Sequence, residues 1–377
     1  MGSKTIFIPR QKLFSRVLKY IRPYRLCLIS LALSAFLLIL IRVLPASYIE
    51  SIYSKNIFRK ISYFTGLVSR HLPFSLAGII LWGLSALATL AILALPILLF
   101  VLPQRLKLLE TYLRVVATLL ALILLVFTLT CAPNYYRFTF AQQSGLVIRD
   151  SSVSELEALC EELIEKTNIA RLLVNDIDMP FSELSQKTFE AFNMLEEDYP
   201  FMGKAMGPPK PMLFPEILSI FNLTGFYFPY TAEANINVHM PQTEMAFTAC
   251  HELAHTNGFM REDEANFIGY LACLKSPEFK VQYSGLYVAL MQSMNALYSS
   301  DSQRYFTLRK KFSPAVSNDL IQIQKYWVKY FNTPASEASN VINDTYLKAN
   351  NLADGTQSYG RMVDLLLAQY RQAHGIT

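Results

Sequence analysis

His251-Glu252-Leu253-Ala254-His255 sets two imidazoles four residues apart with a carboxylate beside the first. Residues at that spacing share one face of an α-helix, so both rings can reach a single tetrahedral ion, and Zn2+ suits the pair. Glu252 falls at the flank of the same face, where it can take a proton from a water polarised by the ion. The chemistry implied is metal-assisted hydrolysis with Glu252 as general base. A zinc centre that keeps a position open for water needs a third protein ligand. The other histidines, His71, His239 and His374, are far away in sequence, whereas Glu262, Asp263 and Glu264 follow soon after Gly258. The third ligand is sought among these acids, although carboxylates also gather at helix N-termini because of the macrodipole alone.

The pentad must ride on a helix that is mostly buried, because Phe247, Ala249, Leu253 and Ala254 surround its polar residues. Buried polar groups need partners, and a metal ion supplies one for all of them. Cys250 beside His251 reads as a small packed residue. No CxxC pair exists, so a thiolate cluster is not expected, and Cys160, Cys250 and Cys273 are too odd a number to pair completely.

Periodicity supplies the supporting elements. Helices are expected over 151–174, 182–197, 215–221, 243–257, 261–274, 285–298, 302–311, 316–331, 335–350 and 358–374. Gly258 is the expected stop of the helix that carries the pentad. Gly225-Phe226-Tyr227-Phe228-Pro229 and Asn235-Ile236-Asn237-Val238-His239-Met240 look like a β-hairpin, and the Pro- and Gly-rich stretch 202–211 like a loop. The expected fold of 137–377 is mainly α, an α+β domain with a small sheet.

The N-terminal third is built differently. Up to Cys131 it holds fifteen Lys and Arg against Glu50 and Glu110, and the remainder holds nineteen bases and twenty-seven acids. Uncharged or nearly uncharged runs at 26–44, 74–102 and 115–136 are long enough to cross a bilayer as helices, which makes lipid a partner. Pro96 is expected to kink the second run or mark its end. Bases in the tail 1–25 and in the connection 103–114 put both on the cytoplasmic side. That leaves the connection 45–73 and the domain 137–377 outside the cell membrane. The alternative of a cleaved signal sequence ending near Ala46 has a poor cleavage context. Nucleic-acid binding is not expected, since the bases flank apolar runs and form no stripe on a folded surface.

The helix pair resembles the gluzincin branch of the zincin metallopeptidases, where an HExxH helix is followed by a helix bearing a glutamate ligand with Asp or Asn four residues later. Glu262 and Asn266 match that second pattern. The resemblance implies His251, His255 and Glu262 as ligands, Glu252 as base and Asn266 as a group orienting His251. The gap from His255 to Glu262 is shorter than in many gluzincins, which keeps Glu264 as the alternative ligand. Arg261 stands where a metzincin would have its third histidine. Over most of its length, through Pro73-Phe74-Ser75-Leu76, Gly225 to Pro229, Glu233-Ala234-Asn235, His251 to Asn266 and Ser358-Tyr359-Gly360-Arg361, the chain resembles an uncharacterised bacterial family of three-span proteins with an outer zincin-like domain.

Such a domain would cleave peptide or protein substrates at the outer membrane face. Tyr359, Arg361 and His239 are candidates to stabilise a developing oxyanion, against the plainer readings of packing and hydrogen bonding. By analogy with zincins, the strand 235–240 would pair with the substrate backbone. A second reading is a non-catalytic sensor or scaffold that holds zinc for structure. Intramembrane proteolysis is disfavoured because the pentad lies over a hundred residues beyond the last apolar run.

Overall fold

The computed structural model describes residues 22–352, 355 and 360–376. It is mostly helical, with one three-stranded sheet, and divides into two compact units, 1–44 with 82–132 and 45–81 with 133–377.

The first unit consists of α1 (Arg25–Val43), all but the start of α3 (Leu76–Val101), and α4 (Arg105–Thr130). All three helices are long and apolar enough to cross a membrane. Small residues of α1, Cys27, Ser30 and Ser34, are buried along one face, and the Cys27 thiol lies 3.6 Å from the Ala117 carbonyl oxygen of α4. Close approach through small residues is how helices pack where no hydrophobic effect drives them together. Pro96 neither ends α3 nor marks its limit, since the helix runs on to Val101. The third apolar helix differs from its expected bounds. It starts at Arg105 and ends at Thr130, so most of the connection expected at 103–114 is helix. Arg105, Lys107, Glu110 and Arg114 are good helix formers and extend the helix beyond its apolar part.

The second unit also takes in what the sequence suggested was a mere connection. Residues 46–69 are helical, π-helical over Ile49–Phe58 and then α-helical as α2 (Arg59–Ser69). The anchor is Glu50, buried and held by Arg137 through bonds of 2.8 Å to each carboxylate oxygen. Leaving either charge without the other would be costly, and the pair fixes this segment to the domain.

The rest of the unit runs through α5 (Phe140–Ser144), α6 (Val153–Leu172), α7 (Phe181–Asp198), β1 (Lys210–Pro211), α8 (Pro215–Ile220), β2 (Gly225–Phe228), β3 (Glu233–Ile236), α9 (Gln242–Thr256), α10 (Glu262–Lys275), α11 (Phe279–Ser300), α12 (Ser302–Arg309), α13 (Pro314–Trp327), α14 (Pro334–Ala349) and α15 (Met362–His374). Capping boxes start α5, α6 and α14. The expected hairpin is present, with Phe226 opposite Asn235 and Phe228 opposite Glu233. Its second strand begins two residues early and ends at Ile236, so 237–240 is not strand. β1 arises within the expected loop and pairs parallel to β3, which puts β3 in the centre of the sheet, in the order β1-β3-β2. The core lies between α6, α7, α9, α10 and α11. Phe140 anchors one end of it, 5.1 to 6.2 Å from the rings of Tyr199, Phe201, Phe259 and Phe267. All five cysteines are buried, and none is in a disulfide.

At the start of α9, burial pushes the Glu244 carboxyl above its ordinary 4.5, against a 3.0 Å hydrogen bond from Trp327 Nε1 that favours the ion. The folded chain therefore holds this proton more tightly than the unfolded one, and the group's contribution to stability falls as pH rises above the ordinary value. Glu244→Gln keeps an acceptor for Trp327 and removes the buried charge. Its melting temperature should exceed that of the wild type at about pH 7.5, and the gain should shrink as pH falls toward about 4.5. A gain that grew on acidification would contradict this.

Candidate metal centre

α9 is buried along nearly its whole length and ends in a Schellman turn. Gly258 N–H donates to the His255 carbonyl at 3.0 Å and Phe259 N–H to that of Ala254 at 3.1 Å. Gly258 takes φ +88°, a left-handed value that suits glycine, and Phe58 and Arg137 leave little room for a Cβ there. This turn does more than stop the helix. It brings the Phe259 carbonyl 2.7 Å from His255 Nδ1, which donates to it, so in the neutral ring Nε2 is left with a bare lone pair. Arg137 stacks on the Phe259 ring at 4.1 Å and reaches the Asn257 carbonyl at 3.4 Å, tying Glu50 to the same turn.

The chain then enters α10 with Glu262 as its first residue. His251 Nε2 and His255 Nε2 are 3.1 Å apart, and Glu262 Oε2 lies 3.2 Å from the first and 3.6 Å from the second. Among the described residues this is the one group of three or more such side chains with the spacing to hold a metal ion. Donors about 2.0–2.1 Å from a tetrahedral zinc stand about 3.3–3.4 Å from one another, so the three atoms present fit the edges of that tetrahedron. Two imidazoles and a carboxylate are also a donor set that zinc accepts. Burial acts to raise the Glu262 pKa, but the His255 charge and hydrogen bonds from both histidines outweigh it and hold the carboxyl well below its usual range. His255 is pushed up to about 9, Glu262 overcoming the effect of burial.

Glu252 is buried beside these ligands, and its Oε2 has no hydrogen-bond partner among the described residues. Burial raises its pKa, with the two histidines opposing and Glu262 reinforcing. Its Oε1 lies 2.9 Å from where a Cβ on Gly225 would stand, so the base borders β2. α10 crosses α9 so closely that a Cβ on Gly269 would lie 3.1 Å from His251 N and 3.3 Å from its Cα. Gly269→Val should therefore force the helices apart, lower stability by about 3 kcal/mol and weaken metal binding. Unchanged melting and zinc affinity would show that this crossing does not set the site.

The other candidates stand elsewhere. Glu264 turns away from the cluster, its Oε1 accepting from Phe140 N–H at 3.0 Å. Asn266 is buried one turn after Glu262 but makes no hydrogen bond with His251, whose Nδ1 has no partner among the described residues. Arg361 lies 3.8 Å from Asp263, next to the cluster but not in it. His239 Nδ1 bonds the Tyr326 hydroxyl at 2.9 Å, beyond the end of β3. Tyr359 lies outside the described residues. The strand expected to receive a substrate backbone is paired on both sides at Asn235 and Ile236, and the edge strand that borders Glu252 is β2. Sequence reasoning missed Gly225, Arg137 and the Phe259 carbonyl. The one available signal was Glu50, a lone acid in a long basic and apolar stretch.

Fold and site together define a mostly helical protein with three apolar helices and a two-histidine, one-glutamate cluster that could bind a metal. The chain matches the family described as "Protein of unknown function (DUF3810)" over residues 53–367, and it belongs to that family. No curated protein and no solved structure matches it.

Proposed function

We propose that the protein is a membrane-anchored, zincin-like zinc metallopeptidase that hydrolyses peptide bonds at the outer face of a bacterial membrane. The observation that carries this reading is the set of three donor atoms 3.1, 3.2 and 3.6 Å apart beside the unpartnered oxygen of Glu252. Bound to His251, His255 and Glu262, zinc would supply Lewis acidity and make a water nucleophilic near neutral pH. Glu252 accepts the proton of the attacking water and delivers it to the leaving amine, a role suited to a buried carboxyl whose pKa is raised. The Phe259 carbonyl keeps the His255 ring in the ligating tautomer. β2, with Gly225 against the base, offers its edge to an extended substrate. Placement of the domain outside rests on the bases flanking the apolar helices, among them Arg105, Lys107 and Arg114.

The test is made on the full chain in detergent. It should contain one zinc per chain and cut unfolded casein, and a chelator should stop the cutting until zinc is restored. Cleavage by the metal-free chain, or a chain that binds no zinc, would overturn the proposal.

A further inference from the structure

We infer that the site works at the bilayer surface and that its substrates are polypeptide segments just leaving the membrane, in membrane-anchored proteins or peptides. This rests on the peptidase reading and on α3 as a membrane span.

α3 enters its apolar run from within the second unit, and its first turn is bonded directly to the central strand of the site's sheet. Leu76 N–H and Ala77 N–H donate to the two Glu233 oxygens at 3.0 and 2.7 Å. Ser75 Oγ accepts from Gly78 N–H at 2.7 Å and donates to Asn235 Oδ1 at 2.6 Å. Glu233 is further paired with Lys210 at 3.1 Å and accepts from Thr231 Oγ1 at 2.6 Å, and every one of these side chains is buried. No linker stands between membrane helix and sheet. The Asn235 carbonyl oxygen lies 2.9 Å from where a Gly225 Cβ would stand, and Glu252 Oε1 lies at the same distance from that point. From Ser75 to the Glu252 carboxylate is therefore at most about 12 Å, one residue's reach plus these contacts. However the domain is tilted, the base cannot stand higher than that above the start of α3. An extended chain covers about 3.3 Å per residue, so the bond presented to Glu252 lies within about four residues of the start of α3.

The surface beside this junction is apolar. α2 buries Ser62, Gly66 and Ser69, and Gly66 approaches Ala232 at the β2–β3 turn, while Phe64 and Val68 on its other side are 70% and 62% exposed. Leu213 packs against Gly78 in the first turn of α3, and its neighbour Phe214, 62% exposed, has φ +53°. Lys60 and Arg70 flank these groups. The segment leaves α1 after Val43 and rejoins the apolar path at Leu76, so both its ends lie on one membrane face. Aromatic and aliphatic groups flanked by bases at such a place suit the lipid headgroup boundary, and that boundary is their occupant.

The test uses the full chain in vesicles of phosphatidylcholine and phosphatidylglycerol. A randomised decapeptide mixture is supplied free in solution or anchored through a palmitoyl group at either end, and products are read by mass spectrometry. Anchored peptides should be cut at least about tenfold faster, because tethering raises their local concentration at the site. Cuts should fall within about five residues of the anchor. Equal rates, or cuts only far from the anchor, would overturn the substrate class and leave the peptidase reading standing. Cutting of neither mixture would overturn both. Independently of activity, a fluorophore on Phe64→Cys or Phe214→Cys should be quenched by shallow spin-labelled lipid and shielded from aqueous iodide. The native cysteines are buried and leave the introduced thiol as the labelled one. Quenching by iodide and not by lipid would overturn the placement at the surface.

Discussion

Glu252→Gln should lower peptide hydrolysis by about 10²- to 10⁴-fold, the range a positioned general base contributes, while zinc content and melting temperature stay at wild-type values or rise. Glutamine has the shape of glutamate, so the packing against Gly225 is kept. It cannot accept a proton at neutral pH, and the step in which the base takes and returns one is lost. The metal should remain because its donors are His251, His255 and Glu262, none of which relies on Glu252 for a hydrogen bond. Stability should not fall, since burial already disfavours the Glu252 charge and glutamine removes it. The assay pairs casein cleavage with metal analysis on the same preparation. Full cleavage in this variant would remove Glu252 from catalysis. Full biological function without any cleavage would favour the zinc-holding scaffold.

How much of this was legible in the sequence depended on whether the signal was local. The pentad helix, its glycine stop and the following helix are set by periodicity and by one left-handed residue, and both were read within a residue or two. The three apolar helices were legible because length and absence of charge suffice. What escaped depends on pairing across long stretches of chain. Residues 46–69 look like a loop between spans until Glu50 meets Arg137, eighty-seven residues away. β1 is two residues of an expected loop and exists only because β3 offers it an edge. The shift of β3 toward Glu233 has a similar cause, for Glu233 is buried to cap α3, a role that alternation of polar and apolar residues cannot reveal. Asn266 matched a pattern by position, yet a position on a helix does not decide whether its amide reaches a ring on the next one.

The choice between Glu262 and Glu264 is where pattern and geometry part, and it yields the second large effect. Glu262→Gln should weaken zinc binding at least about a hundredfold, beyond what loss of an outer partner costs, and abolish cleavage. Its carboxylate oxygen stands 3.2 and 3.6 Å from the two imidazole nitrogens, and an uncharged amide there is a poor donor to the ion. Glu264→Gln should leave zinc affinity unchanged. Glu264 spends one oxygen on Phe140 N–H, and its pKa is pushed up to about 7, chiefly by burial, with Asp263 adding and Arg261 opposing. Glutamine can make the same bond to Phe140 through its own oxygen, so the aromatic cluster keeps its tie to α10. Both acids lie in the first turn of that helix, so a general dipole effect would alter the two variants alike. Chelator competition on both proteins decides the matter: equal losses would point to the dipole, and a larger loss at Glu264 would mean that α10 is turned from the register in which Glu262 meets the histidines.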